Sequence, residues 1–370
     1  MEFGLSSEQV LLKDSLDAYL RERAPLDRVR RFADRDEGRA TEVIAGLNEI
    51  GLSGLIIPTE HGGVGLGALD ACVAAETLGY RIAPVPFVAN AIMVPTALML
   101  AASPAQQANW LPQIAAGKTV VGAALAERSG ARAVAGSQAG VTAVDGRLSG
   151  RALYVLDFEA DAYLVGDMAG GLHLVASDAA GLSRQRLETV DRTRPIGELV
   201  FDRVAAEPLA GADAAVEQRV LDIGRTMLAA DSLGAAQNMI DQAVAYAGQR
   251  MQFGRVIGSF QAVKHMCAQM AADLEPTRAF VWYAGHALDE IPLEASLVAC
   301  QLKAHLGEVA TSVAKTATEV HGGMGFTDLV GLHYWFKRIG FNRQMLGSPE
   351  YLRGEAARLQ GLAEMPDRLR

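Results

Sequence analysis

Apolar residues recur every three or four positions over most of this chain. Only between residues 119 and 213 do they fall into short runs bounded by Gly, Asp and Ser. The helical period begins with Leu11, Leu12, Leu16 and Leu20, and Ser6 or Ser7 can cap it, so residues 5–35 are predicted to be helical. The charged run LDRVRRFADRDEGR then reads as a solvated helix end. A second helix is predicted over Ala40–Ile50, with Gly51 ending it. Pro58, Gly62, Gly63, Gly65 and Gly67 form a loop. Helices follow over Asp70–Leu78, 87–102 and 104–116. Strands are predicted at Thr119–Leu125, Val141–Val144, Arg147–Val155, Ala162–Val165, Leu172–Ala176 and Glu198–Phe201. Long helical segments occupy 216–248, 259–288, 293–321 and 331–345, with a shorter tail from Glu350. The pattern is that of an α+β multidomain chain. It has an all-α domain over 1–118, a small antiparallel β-sandwich or barrel over 119–213, and a four-helix bundle over 214–370.

Composition narrows the function. The net charge of −9 argues against a dedicated nucleic-acid binder, while leaving room for a local basic patch that holds phosphate. Cys72, Cys267 and Cys300 lie far apart, without metal-ligand spacing, which fits a reduced cytoplasmic setting and no metal site. The N-terminus shows no signal-peptide pattern, and no apolar run is long enough to span a bilayer.

One stretch concentrates candidate chemistry. Between two long helical patterns lies QRMQFGRVIGSFQ, with Arg250, Arg255, Gly254, Gly258, Phe253 and Phe260. Arginine forks pair with phosphate, glycine lets a backbone approach closely, and an aromatic ring offers a face to a base.

Three motifs in this order carry a resemblance. They are Pro58-Thr59-Glu60-His61-Gly62-Gly63-Val64-Gly65, then Arg250-Met251-Gln252-Phe253-Gly254 with Ile257 and Phe260-Gln261, then His321-Gly322-Gly323-Met324-Gly325-Phe326. With the domain order, they make the chain similar to the acyl-CoA dehydrogenase family over essentially its whole length. The resemblance implies FAD as cofactor. It places Arg250, Gln252, Phe253 and Gln261 against the FAD of a neighbouring subunit, and Glu319, His321, Gly322 and Gly323 along its adenosine pyrophosphate. The family has Gln where this chain has Glu319, so that carboxylate is expected to turn away from phosphate or pair with an arginine; His321 is expected to be structural rather than catalytic. The β domain departs from the family pattern. Ala126-Glu127-Arg128-Ser129-Gly130-Ala131 replaces a Thr-Glu-Pro-x-Ala-Gly-Ser-Asp stretch, and Tyr154-Val155-Leu156-Asp157 stands for Trp-Ile-(Thr/Ser)-Asn.

The resemblance implies loss of an α-proton to a carboxylate while a β-hydride moves to flavin N5. The two family positions for that carboxylate fall here on Leu346, before Gly347-Ser348, and on Gly224, before Arg225. Neither accepts a proton. Asp231 lies two turns beyond Gly224 on the same apolar face, and burying it unpaired would be costly. Asp231 is therefore a candidate base, with Gly224 and Gly234 leaving room for a bulky acyl group. By the resemblance Arg225 is the arginine beside the base position, expected to support the acyl-CoA site electrostatically; the alternative is an ion pair with Asp222 or Asp231. The alternative for Asp231 is an ion pair with a buried arginine. For the whole chain, the readings are a dehydrogenase of a bulky acyl-CoA, a silent or half-active subunit of a heteromeric dehydrogenase, and a flavoprotein of this fold with another reaction. The implied partners are an acyl-CoA, an electron-transfer flavoprotein or similar acceptor, and further copies or unlike subunits in a dimer or tetramer.

Overall fold

The computed structural model describes residues 4–34, 38–125 and 140–362. Six helices come first: α1 (Ser7–Arg23), α2 (Leu26–Asp34), α3 (Thr41–Glu49), α4 (Ala68–Tyr80), α5 (Val94–Ala101) and α6 (Pro104–Ala115). The expected single helix over 5–35 is broken at Ala24-Pro25, because proline removes a backbone donor and restricts the residue before it. The charged run is not merely a solvated end. Val29, Phe32 and Ala33 of α2 are buried, so its charges form one face of an amphipathic helix. Gly51 ends α3 with φ +94, a left-handed value that favours glycine. Val88–Met93 forms a π-helical stretch that runs directly into α5.

The middle region forms two four-stranded sheets. One has the order β1 (Val121–Ala124), β4 (Ala162–Gly166), β5 (Leu172–Ala176), β8 (Glu207–Pro208). The other has the order β2 (Gly140–Val144), β3 (Arg147–Val155), β7 (Ile196–Ala205), β6 (Leu182–Leu187). Of the expected antiparallel sandwich or barrel, the sandwich is found, with two corrections to the rest. The described strands do not close into a barrel, and β1 runs parallel to β4. Val120, Ala124, Leu148, Tyr163, Val165, Leu199 and Phe201 share a core that draws on both sheets, the arrangement of a sandwich.

Three long helices follow, α7 (Ala214–Gln249), α8 (Gln261–Glu290) and α9 (Pro292–His321), then α10 (His333–Gln344) and α11 (Pro349–Leu359). Asp213 caps α7 by accepting from the N–H groups of Ala215 and Val216. Helix α7 is buried along most of its first two-thirds, since α4, α9 and α10 all pack on it. Two glycines let α4 and α7 touch backbone to backbone. A Cβ at Gly234 would lie 1.8 Å from the Glu76 carbonyl oxygen, and one at Gly79 would lie 2.0 Å from that of Asp231. Gly234 therefore makes room for a helix, not for an acyl group, and that expectation is corrected.

Candidate functional site

The stretch between α7 and α8 is a hairpin. Met251–Gln252 (β9) pairs antiparallel with Arg255–Val256 (β10), across a loop whose residues Phe253 and Gly254 have φ +51 and +74. Two successive positive φ values match the right-handed twist of a tight hairpin. The turn pushes the Phe253 ring outward, 91% exposed. Arg250 is also exposed and forms no ion pair among the described residues. Arg255 instead lies over the Phe260 ring at 3.9 Å, and Phe253 meets Phe260 edge-on at 6.1 Å. Gln252 and Gln261 are exposed, and Gln261 Nε2 lies 3.5 Å from His265 Nε2.

The end of α9 reaches the same end of the bundle. His321, its last residue, stacks on Tyr246 of the last turns of α7, with ring centroids 4.7 Å apart. Gly322 has φ +58, and a Cβ at Gly322 or Gly323 would meet nothing within 4 Å. Glu319 is exposed and its carbonyl accepts from Gly322 N–H, and the expected arginine partner for its carboxylate does not appear among the described ion pairs. An unneutralised guanidinium, an exposed aromatic ring and open glycine backbone on one end of the bundle fit a dinucleotide diphosphate with its base. His321 differs from these groups. It is buried, and its Nδ1 sits 2.7 Å from the Ala317 carbonyl, so Nδ1 carries the hydrogen and donates.

The two positions expected to hold the proton acceptor converge in space. A Cβ on Gly224 would meet the Leu346 side chain at 2.8 Å and Met93 Sδ at 2.7 Å. Leu346 is 2% exposed and Met93 is fully buried. Gly224 thus leaves no open space, since Leu346 and Met93 fill it. Leu346 adopts φ +56 and Gly347 φ +118, a left-handed turn after α10. Two buried basic side chains hold its carbonyls. Arg225 Nε donates to Leu346 O at 3.1 Å, and Lys303 Nζ donates to Gly347 O at 2.7 Å and Arg343 O at 3.3 Å. Arg225 is paired with Asp222 at 3.0 Å, and Asp222 also accepts from Ser296 at 2.5 Å and Gln218 at 2.8 Å. Burial raises the Asp222 carboxyl above its ordinary value, with Arg225 opposing. Burial holds the Lys303 ammonium well below its ordinary value, and Arg225 adds to the effect.

Asp231 is 1% exposed and fully engaged. Its Oδ2 pairs with Arg194 at 2.5 Å and Arg338 at 3.2 Å, and its Oδ1 accepts from Asn342 at 2.6 Å. Arg338 also donates to Asp191 at 2.7 Å, to Thr193 at 2.5 Å and to the Ala83 carbonyl at 3.4 Å. Two guanidiniums and an amide on one carboxylate occupy the lone pairs that a substrate proton would need. This geometry is the ion-pair alternative for Asp231, and it speaks against a general base. Of the two partners expected for Arg225 as an ion pair, the structure shows Asp222 rather than Asp231, and Arg225 also braces the Leu346 turn. Sequence reasoning missed Arg194, Arg338 and Asn342. The signal available was that Arg338 and Asn342 stand four residues apart, on one face of a helix.

The network joins all three regions. Arg194 and Asp191 come from the β region, Asp231 and Arg338 from the C-terminal helices, and the Ala83 carbonyl from the segment that follows α4. Nearby, Asp157 accepts from the N–H groups of Ala89 and Asn90 at 2.9 and 3.2 Å. Burial raises its carboxyl above the ordinary range, with Arg194 pulling the other way. Asp157 thereby ties the Tyr154–Asp157 segment to the start of the π-helical stretch that carries Met93. The Ala126–Ala131 segment lies outside the described residues.

Comparison with known proteins agrees with this architecture. Residues 6–118 match the model for the acyl-CoA dehydrogenase N-terminal domain, and residues 210–360 match that for the C-terminal domain. Acyl-CoA dehydrogenase IpdE2 of Mycobacterium tuberculosis is 29% identical over 349 residues, covering 92% of this chain and 94% of that protein. The IpdE2 of Mycolicibacterium smegmatis is 27% identical over 352 residues, covering 93% and 96%. Among solved structures, a Tcur3481–Tcur3483 steroid ACAD variant superposes with a TM-score of 0.86 at 29% identity, covering 96% of this chain and 98% of that one. The glutaryl-coenzyme A dehydrogenase complex with glutaryl-CoA shares the fold, with a TM-score of 0.87 at 22% identity over 98% of each chain. With its helical, β and helical regions in the same order, the chain belongs to the acyl-CoA dehydrogenase family, FAD-dependent oxidoreductases that act on acyl-CoA thioesters.

Proposed function

We propose that this chain is the clamp-bearing, base-free member of an acyl-CoA dehydrogenase assembled with an unlike subunit. The assembled enzyme converts a bulky acyl-CoA to its 2-enoyl-CoA in the cytoplasm and passes electrons to an electron-transfer flavoprotein or similar acceptor. One observation carries the reading: Gly224 and Leu346, the two positions where the family resemblance places a carboxylate, meet in space and both are apolar, with Met93 filling the gap. A thioester α-proton is weakly acidic, and its removal needs a positioned carboxylate of raised pKa. Asp231 is fully occupied by Arg194, Arg338 and Asn342, so the base comes from the partner.

The contribution of this chain is to hold FAD. Arg250 would meet the diphosphate as a permanent cation, Phe253 the adenine face, and the N–H groups at Gly322 and Gly323 the phosphate oxygens. Bound FAD supplies the hydride acceptor. The bulky acyl group rests on likeness to a structure described as a steroid ACAD, since Gly224 and Gly234 do not open a cavity.

The test is expression of the chain alone and together with a homologous dehydrogenase subunit. FAD per chain is read from flavin absorbance, and turnover from bleaching by a steroid-type or short straight-chain acyl-CoA. Bleaching only in the co-expressed complex, and faster with the bulky substrate, is expected. Full bleaching by the isolated chain would overturn the unlike-subunit reading.

A further inference from the structure

His321 sits at the cofactor clamp yet is 4% exposed, and Tyr246 has had no role so far. Their rings are stacked, with centroids 4.7 Å apart and planes 26° from parallel. Each ring stands next to one half of the clamp. The Tyr246 carbonyl accepts from Arg250 N–H at 2.8 Å, and the Arg250 carbonyl accepts from Ile257 N–H at 2.8 Å. Tyr246 is thus the last fixed point before the hairpin. His321 is followed directly by Gly322 and Gly323, and a Cβ on Gly325 would lie 3.0 Å from His321 Cβ, so the turn after α9 folds back onto it. The imidazole cannot swing freely, because Nδ1–H is bonded to the Ala317 carbonyl one turn back.

Both halves of the clamp are otherwise open. Phe253 is 91% exposed, and a Cβ at Gly322, Gly323 or Gly254 would meet nothing within 4 Å. An open loop and an exposed hairpin keep a fixed separation only if something between them is rigid. Aromatic rings are rigid, with few rotatable bonds, and a stacked pair has a preferred separation.

We propose that the Tyr246–His321 stack is the spacer that fixes the Arg250 hairpin relative to the Gly322–Gly323 loop, and so tunes how tightly the clamp holds a dinucleotide diphosphate. Both are positioning residues: they act through Arg250 and the glycine backbone and do not touch the ligand. The inference rests on the clamp reading above.

The experiment uses the assembled enzyme, stripped of FAD and reconstituted, with FAD affinity read by quenching of flavin fluorescence. His321→Ala and Tyr246→Leu are each expected to raise the Kd for FAD about tenfold, an effect of about 1.4 kcal/mol. His321→Phe, which keeps a ring and loses the Nδ1 hydrogen bond, is expected to stay within about threefold of wild type by the same conversion. The double variant is expected to bind no more weakly than either single variant, because one stack is lost once. A merely structural role would instead give additive losses that follow thermal stability. Unchanged affinity in His321→Ala, or equal loss in His321→Phe and His321→Ala, overturns the spacer. Arg250→Ala separates the two levels. If it leaves the Kd unchanged, the clamp reading fails; if it weakens binding and His321→Ala does not, only the spacer fails.

Discussion

Asp231→Asn distinguishes a structural carboxylate from a catalytic one. Asp231, Arg194 and Arg338 are 1%, 5% and 0% exposed. Two carboxylates, Asp231 and Asp191, balance two guanidiniums in direct contact, and Asp157 stands close by with its carboxyl raised by burial. The substitution keeps the shape but leaves one buried guanidinium charge uncompensated. Breaking a buried pair from one side costs about 3–5 kcal/mol. Asp191 still faces Arg338 after the change, so about 3 kcal/mol is expected, at the lower end of that range. With a urea slope of about 3 kcal/mol per M for a large chain, the unfolding midpoint should fall by about 1 M. The assay is urea unfolding followed by far-UV circular dichroism. Adding Arg338→Met to Asp231→Asn should recover part of the loss, since the double change removes one charge of each sign. In the assembled enzyme, Asp231→Asn should leave flavin reduction measurable wherever the protein stays folded. An unchanged midpoint together with abolished flavin reduction would refute this reasoning and restore Asp231 as the base.

Three further outcomes follow from the packing. Lys303→Met should flatten the pH dependence of stability. Its folded pKa lies well below the ordinary value, so between that lowered value and about 10.4 the unfolded chain binds a proton the folded chain does not, and stability rises with pH across the window; unfolding midpoints across that window, compared with wild type, check it. Leu346→Ala should cost about 2–5 kcal/mol in denaturant unfolding, as a buried leucine that leaves a cavity over Gly224. Gly234→Ala should destabilise by about 3 kcal/mol or more, since its Cβ would meet the rigid Glu76 carbonyl, while Gly224→Ala should cost less because it meets the flexible ends of Met93 and Leu346; paired thermal melts rank the two.

The parts of the fold that follow from local period were legible. Helices α7, α8 and α9 show in the apolar spacing, and β3 and β5 show as short apolar runs between turn residues. Strand β6, LSRQRL, was missed because it is an edge strand with no buried residue, leaving no apolar alternation to read. The hairpin at Phe253 was missed for a different reason: a phenylalanine at φ +51 carries no turn signal, and only the following glycine does. The parallel pairing of β1 with β4 joins strands far apart in the chain, and nothing local encodes it.

The sequence by itself determined which residue types stand at the clamp and that the two expected base positions cannot accept a proton. Arg250, Phe253, Gly322 and Gly323 form short motifs, and a glycine or leucine has no titratable group whatever surrounds it. It also marked Asp231 as costly to bury, which required a partner without saying which. Tertiary structure decided the rest. The partners Arg194, Arg338 and Asn342 lie 37, 107 and 111 residues from Asp231, and only packing of α10 and the β region on α7 brings them to it. The same packing turned Gly234 from space for a ligand into a helix crossing and placed Leu346 over Gly224. A side chain's charge or lack of one is carried by the residue; what fills the space beside it is fixed by elements distant in the chain.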